Sequence, residues 1–215
     1  GINKMILNSG EGQIDTGKMM QSLLEKCRKA GVEILNGVEV SRIENENTNC
    51  RIDFNGEFSL LTKKVLIAVN GFAKKFLPDF DVQPARAQVI STSPIPGLQF
   101  KGSFHYDHGY YYFRNVGNRV LFGGGRNLDF EKEHTMDFGL TTLVQNSLEG
   151  LLKNLILPDT NYVIEQRWSG IMGLGESKTP IIRMVADNIY CAVRMGGMGV
   201  AIGSLVGEEA ADLIL

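Results

Sequence analysis

Residues 188–203, Asn188-Ile-Tyr-Cys-Ala-Val-Arg-Met-Gly-Gly-Met-Gly-Val-Ala-Ile-Gly203, decide how this chain is read. The apolar run over 188–193 reads as a buried strand. It breaks into clustered glycines and re-forms as a helix that continues to Leu215. Glycines at such a break remove Cβ atoms, so a flat ligand can lie against the backbone. The free amides of the helix's first turn, with the positive end of its dipole, favour an anionic or electron-rich ligand edge. Gly199, Gly203 and Gly207 recur every fourth residue, a spacing that lets the helix lie close to a sheet. A glycine turn serving packing alone is the alternative reading of this segment. The spacing matches neither the dinucleotide fingerprint nor the phosphate loop. Glu208, Glu209 and Asp212 exclude a membrane-dimer helix.

Working outward, Val65-Leu-Ile-Ala-Val-Asn-Gly71 reads as a second buried strand, over 64–69, ending in Asn-Gly. Strands of open α/β sheets end this way where they face a ligand crevice, although any buried strand before a turn has the same pattern. Residues 4–8 read as a short strand. A helix starts near Asp15, with Met19, Met20, Leu23, Leu24 and Cys27 on one face, Asp15 or Thr16 as its cap and Gly31 at its end. Strands are expected over 32–34, 38–43, 50–54 and 57–61, the last two joined at the hairpin pair Asn55-Gly56. An antiparallel meander follows over 86–92, 103–107, 110–114 and 119–124. A helix over 139–156 is expected to bury Leu140, Leu143, Val144, Leu148, Leu151 and Leu152, and strands follow over 162–172 and 180–184. This mixture argues for α/β plus β architecture.

The meander carries a third feature, Phe104-His-Tyr-Asp-His-Gly-Tyr-Tyr-Tyr-Phe-Arg114, which closes on Gly123-Gly-Gly-Arg126. Alternation puts Tyr110, Tyr112 and Arg114 on one face, Tyr111 and Phe113 on the other. The first face offers a hydroxyl and a guanidinium for a carboxylate; a β-core with an exposed edge accounts for the same residues. Arg167 beside Trp168 is either a substrate clamp or a surface stacking pair. His105 and His108, three apart and without further ligands, do not make a metal site.

Bulk properties narrow the classes. A chain of 215 residues with 43% apolar and 21% charged residues is an ordinary globular composition. A net charge of −2 lacks the basic excess that nucleic acid or anionic membrane requires. No apolar run approaches the roughly 20 residues of a membrane span. Cys27, Cys50 and Cys191 form neither a disulfide framework nor a zinc pattern, and a reducing cytoplasm is the simplest location. Opening on Gly1 rather than Met, without a basic-then-apolar leader, fits a trimmed chain.

In order as well as kind, these segments resemble the D-amino-acid oxidase, glycine oxidase and sarcosine oxidase superfamily of FAD-dependent oxidoreductases. Gly12-Gln-Ile-Asp15 before a helix, then Gly31-Val-Glu-Ile-Leu-Asn-Gly-Val-Glu-Val-Ser-Arg-Ile43, looks like the family's entry motif and its following strand. Gln83-Pro-Ala-Arg-Ala-Gln88 is similar to its "Pro-x-Arg-Gly-Gln" crossing, with Ala87 in place of glycine. Tyr111-Tyr-Phe-Arg114 with Gly123-Gly124, Arg167-Trp-Ser-Gly-Ile-Met172 and Met195-Gly-Gly-Met-Gly199 resemble later family motifs. The resemblance covers the chain from about residue 10 to its end.

The resemblance implies an incomplete FAD-binding, Rossmann-like domain from 11–80 and 175–215. A substrate domain from 1–10 and 81–174 would be an antiparallel β-sheet with a covering helix. It implies non-covalent FAD, contacted by Val40, Ala68, Asn70, Gly71, Gly196, Gly197, Met198 and Gly199. The expected activity is oxidation of the C–N bond of an amino acid or amine by hydride transfer to FAD. No side chain is nominated as an acid-base catalyst; Tyr112, Arg114 and Arg167 are the expected substrate contacts. Two features depart from the family. The βαβ unit that holds the FAD pyrophosphate does not precede Gly1, so the piece alone is expected to be inactive. Met172 stands where a carboxylate-binding arginine often follows the tryptophan. Alternatives are a flavin dehydrogenase of a hydroxy acid or glycerol 3-phosphate-like metabolite, and a non-catalytic scaffold module.

Overall fold

Alternating strands and turn glycines build three sheets, joined with three α-helices, among the described residues 4–215 of this computed structural model. The fold is mixed α/β with mostly antiparallel sheets. The chain divides into two compact units, one running to Met20 and including Arg86–Gly170, the other Gln21–Ala85 with Ile171–Leu215. Residues 11–20, read above with the 175–215 segment, therefore group with 86–170.

The first unit is built on a five-stranded sheet in the order β6-β7-β8-β5-β9. Its strands are β5 (Gln83–Thr92), β6 (Ser103–Tyr106), β7 (Tyr111–Val116), β8 (Arg119–Gly124) and β9 (Ile164–Leu174). β7 and β8 pair antiparallel with Tyr112 opposite Gly123 and Val116 opposite Arg119, so the meander turns at Gly117-Asn118. One face carries the core: Ile90, Tyr111, Val120 and Phe122 pack with Val144, Leu148 and Leu152 of the helix α2 (Thr142–Leu151) and the π turn after it. Phe113 joins this cluster from the Tyr111 side, as alternation requires. The helix is shorter than its apolar pattern suggests. Leu140 precedes it and Leu143 points outward, both exposed, because the inward stripe is set by Val144, Leu148 and Leu152.

The second unit begins within α1 (Thr16–Lys29), where Asp15 Oδ1 accepts the Lys18 amide at 3.1 Å as an N-cap and Gly31 closes the helix at φ 81°. A three-stranded antiparallel sheet follows: β1 (Val40–Glu46), β2 (Asn49–Phe54) and β3 (Phe58–Thr62). The Asn55-Gly56 turn has φ of 49° and 80°, the left-handed pair that a tight hairpin demands. Another sheet, in the order β10-β11-β4, contains β4 (Val65–Ile67), β10 (Ile181–Ala186) and β11 (Ile189–Val193). β11 runs antiparallel to β10 and parallel to β4. Val65, Ile67, Ala73, Leu77, Cys191 and Val193 form the unit's core, and α3 (Gly199–Ile214) lays Val206 and Ala210 against Ala192.

Residues 4–8 and 32–34 carry no strand, since neither segment finds an edge to pair with. β4 ends at Ile67, and the chain then enters a 3-10 turn over Asn70–Lys75.

Candidate functional site

In the second unit, β4 and β11 point the same way, with Val65 opposite Ile189 and Ile67 opposite Cys191, so both strands release their chains at one end of the sheet. Asn70, in left-handed backbone at φ 45°, uses its Oδ1 to accept the Met195 amide at 3.1 Å. The same oxygen excludes a side chain at residue 173: a Cβ built on Gly173 would stand 2.5 Å from it. A Cβ on Gly71 would stand 2.5 Å from the Met172 carbonyl oxygen. The Gly196 amide donates to the Gly173 carbonyl at 3.0 Å. Residues 70–71, 172–173 and 195–196 are thereby tied into one knot, and glycine at 71 and 173 is what lets the backbones meet.

The turn leaving this knot is made by Gly196 and Gly197, at φ 59° and 82°. Backbone conformation is what requires glycine here. Cβ atoms built on them would meet nothing closer than the Lys178 carbonyl at 3.8 Å and the Met172 sulfur at 3.7 Å. No side chain caps α3, and its first bonds run from the Ala201 and Ile202 amides to the Met198 carbonyl. The Gly199 and Val200 amides lie ahead of those bonds, at the positive end of the helix dipole. Gly197 and Met198 are exposed. An open glycine backbone followed by uncapped amides fits the electron-rich rim of a flat ring.

Arg194 holds the foot of this turn. It is 9% exposed and in left-handed backbone at φ 66°. It donates to the Thr179 carbonyl at 2.9 Å, the Asp81 carbonyl at 3.1 Å and Asp81 Oδ2 at 2.7 Å. Its donors serve the fold. Asp81, in an ordinary-looking acidic loop, gives no sequence signal of this role. Val40 begins β1, and its carbonyl accepts Lys75 Nζ at 2.9 Å beside a hollow of about 370 Å³ lined by Ser41, Arg42, Lys75 and Phe76. Ala68 is exposed just beyond β4. Cys50 and Cys191 are buried, and burial pushes both thiols up, so neither is a ready nucleophile.

In the first unit, the Tyr112 ring lies flat over Gly123, where a Cβ would stand 2.6 Å from its Cζ and hydroxyl. Burial pushes the Tyr112 phenol up, so it stays protonated and able to donate at neutral pH. Arg114 shares its face. Its guanidinium donates to the Ile14 carbonyl at 2.5 Å and Thr16 Oγ1 at 3.2 Å, on the rim of an open hollow of about 450 Å³. Arg167 donates to Gln145 Oε1 at 2.7 Å and pairs with Glu149 at 2.7 Å. The sequence-nominated arginines are thus already holding neighbouring segments.

Sequence reasoning missed the buried polar cluster beneath them. Glu133 is 1% exposed and accepts from Arg86 Nε at 2.8 Å, Gln88 Nε2 at 2.9 Å and Thr141 Oγ1 at 2.9 Å. Burial alone raises the Glu133 carboxyl. The hydrogen bonds from Arg86, Gln88 and Thr141 outweigh it and leave the group below its ordinary value. Gln88 Oε1 in turn accepts the Thr141 amide at 3.0 Å and Gln145 Nε2 at 3.1 Å. Within Glu131-Lys-Glu133 nothing marks which carboxylate turns inward. Among the described residues, no His, Cys, Asp or Glu cluster is placed to hold a metal.

The sequence model of the family described as FAD dependent oxidoreductase matches residues 1–213. The chain belongs to this family. Its fold is similar to that of glycine oxidase from Geobacillus kaustophilus, with a TM-score of 0.74 at 18% identity, over 90% of this chain and 52% of that one. L-proline dehydrogenase from P. horikoshii matches with a TM-score of 0.71 at 19% identity, over 93% and 55%. L-amino acid deaminase from Proteus vulgaris gives a TM-score of 0.64 at 20% identity, over 88% and 48%. This FAD-dependent oxidoreductase chain spans about half the length of these solved structures. No curated protein matches it in sequence. No helix among the described residues is long and apolar enough to cross a membrane.

Proposed function

We propose that this chain is the C-terminal part of a cytoplasmic flavoenzyme that oxidises the C–N bond of an amino acid or amine, with FAD held non-covalently. The observation that carries the reading is the glycine turn at Gly196-Gly197 running into an uncapped helix, tied by Asn70 to the end of a parallel strand pair. The family supplies the cofactor. The names of the similar structures, an oxidase, a dehydrogenase and a deaminase of amino acids, motivate the substrate class.

Bound FAD supplies the hydride acceptor. Within the chain, Gly196, Gly197, Met198 and Gly199 would present backbone to the ring, with Ala68, Asn70 and Gly71 closing the strand end beside it. Val40 would offer backbone to the adenine. Amides fixed in advance toward an electron-rich rim need no reorganisation when negative charge grows there. Tyr112, Arg114 and Arg167 are proposed to line and orient the substrate, and the second unit, completed by a preceding βαβ unit, to form the FAD-binding domain. Free thiols at Cys27, Cys50 and Cys191 suit a reducing compartment.

The test is cofactor uptake. The chain alone is expected to take up FAD poorly. Co-expression with the N-terminal half of a family member should yield yellow protein, bleached anaerobically by an amino acid or amine. Colourless protein from both preparations would remove the reading, and bleaching by hydroxy acids alone would move the substrate class.

A further inference from the structure

The first unit contains five arginines, and four are committed to the fold. Arg86 is held by Glu133, Arg114 by Ile14 and Thr16, and Arg167 by Gln145 and Glu149. Arg119 donates to the Thr92 carbonyl at 2.9 Å and pairs with Glu165. Arg126 differs. Among the described residues its guanidinium has no carboxylate at ion-pair distance and no hydrogen-bond acceptor; its Cζ sits 4.6 Å over the Phe130 ring.

Its position is built by glycine. β8 ends at Gly124, and the Gly125 amide, at φ 79°, donates to the Tyr110 carbonyl at 3.0 Å. Arg126 therefore starts beside Tyr110, whose ring centroid lies 6.2 Å from that of Phe130. Tyr110 sits in the turn before β7, where its amide donates to the Asp107 carbonyl at 2.9 Å, so the strand alternation expected to include it begins only at Tyr111. Arg126 is half-buried, and burial lowers its pKa, with Tyr110 and the charge of Glu133 only partly opposing that shift. The next residue, Asn127, has its Oδ1 buried with no hydrogen-bond partner, an acceptor that the substrate's amine, not its carboxylate, would satisfy. A partly desolvated cation whose neighbouring carboxylate, Glu133, lies beyond ion-pair distance and is already held by Arg86 is unfavourable by itself, and an arriving anion relieves it.

We infer that Arg126, flanked by Tyr110 and Phe130, is the group that binds the substrate's carboxylate. This rests on the amino-acid oxidoreductase reading above and replaces Arg114 and Arg167 in the charge-pairing role, leaving them as positioning residues. A planar guanidinium offers two parallel donors to a carboxylate, and the aromatic neighbours prefer a substrate with an apolar or aromatic side chain.

The experiment is titration of the 215-residue chain with phenylacetate and its neutral isostere phenylacetamide, followed by tyrosine fluorescence and by NMR of the arginine Nε–H groups. Phenylacetate is expected to bind saturably and shift the Arg126 resonance, with phenylacetamide at least tenfold weaker. Arg126→Gln should weaken phenylacetate at least tenfold, and Arg126→Lys by less. Circular dichroism checks that both variants are folded. Equal binding of acid and amide, unchanged binding in Arg126→Gln, or no binding to the wild-type chain would overturn the inference. If Arg126-dependent phenylacetate binding is found but no preparation takes up FAD, the subsite stands and the oxidoreductase reading falls.

Discussion

The polar cluster around Glu133 and the glycine turn at 196–199 handle hydrogen-bonding capacity in opposite ways. In the cluster, each buried carboxylate and amide oxygen is matched by a donor from Arg86, Gln88, Thr141, Gln145 or Arg167, and the result is a cross-link between strand, loop and helix. In the turn, Asn70 and Gly173 fix the backbone, and the amides beyond it are left to face outward. Satisfied groups mark structure; groups held in place but unsatisfied mark a place for a ligand. Arg126 is the first unit's instance of the second kind.

Substitutions at four positions break or sharpen that contrast. Glu133→Ala should have the largest effect, roughly 3–5 kcal/mol of stability in urea unfolding, because it strands the Arg86 charge in the interior. The wild-type cluster also sets an acid limit. The folded Glu133 pKa lies below its ordinary value of 4.5, so its contribution is complete above that value and is lost as pH falls through the folded pKa. Glu133→Gln should flatten stability against pH below about 4.5; an unchanged acid profile would show that Glu133 is not the titrating group. Gly71→Ala comes next, about 1–3 kcal/mol, from forcing a Cβ against the Met172 carbonyl. A loss confined to FAD uptake, with normal unfolding, would contradict the knot. Gly197→Ala should cost only about 1–2 kcal/mol, the left-handed penalty of a side chain, since the space is open. In flavin-loaded protein it should weaken FAD more than it lowers the unfolding midpoint. Arg167→Ala is the smallest, about 1 kcal/mol, because its partner Glu149 is half in solvent and the loss falls on the single hydrogen bond to Gln145 Oε1.

Hydrophobic periodicity located β8 and the meander because a strand with one buried face carries a period of 2, whereas α1 shows the 3.6 period although none of its residues is buried and Met20, Leu23 and Cys27 are exposed. Asn55-Gly56, Gly31 and Gly196-Gly197 were legible for a related reason: left-handed backbone selects glycine or asparagine locally. The periodicity of 139–156 overstated its helix, and the apolar segments 4–8 and 32–34 looked like strands without having a partner to pair with.

From sequence alone came the family's order of motifs, the alternation that separates Tyr112 from Tyr111, and the glycine turn before the last helix. Tertiary structure alone decided which charges are spent. Glu133 and Arg194 became internal because distant segments, Asp81 among them, brought them donors or acceptors, while Arg126 was left without either. A side chain's type fixes what it is able to bond, but its availability depends on neighbours far away in the chain, 113 residues between Arg194 and Asp81, and no local pattern records them.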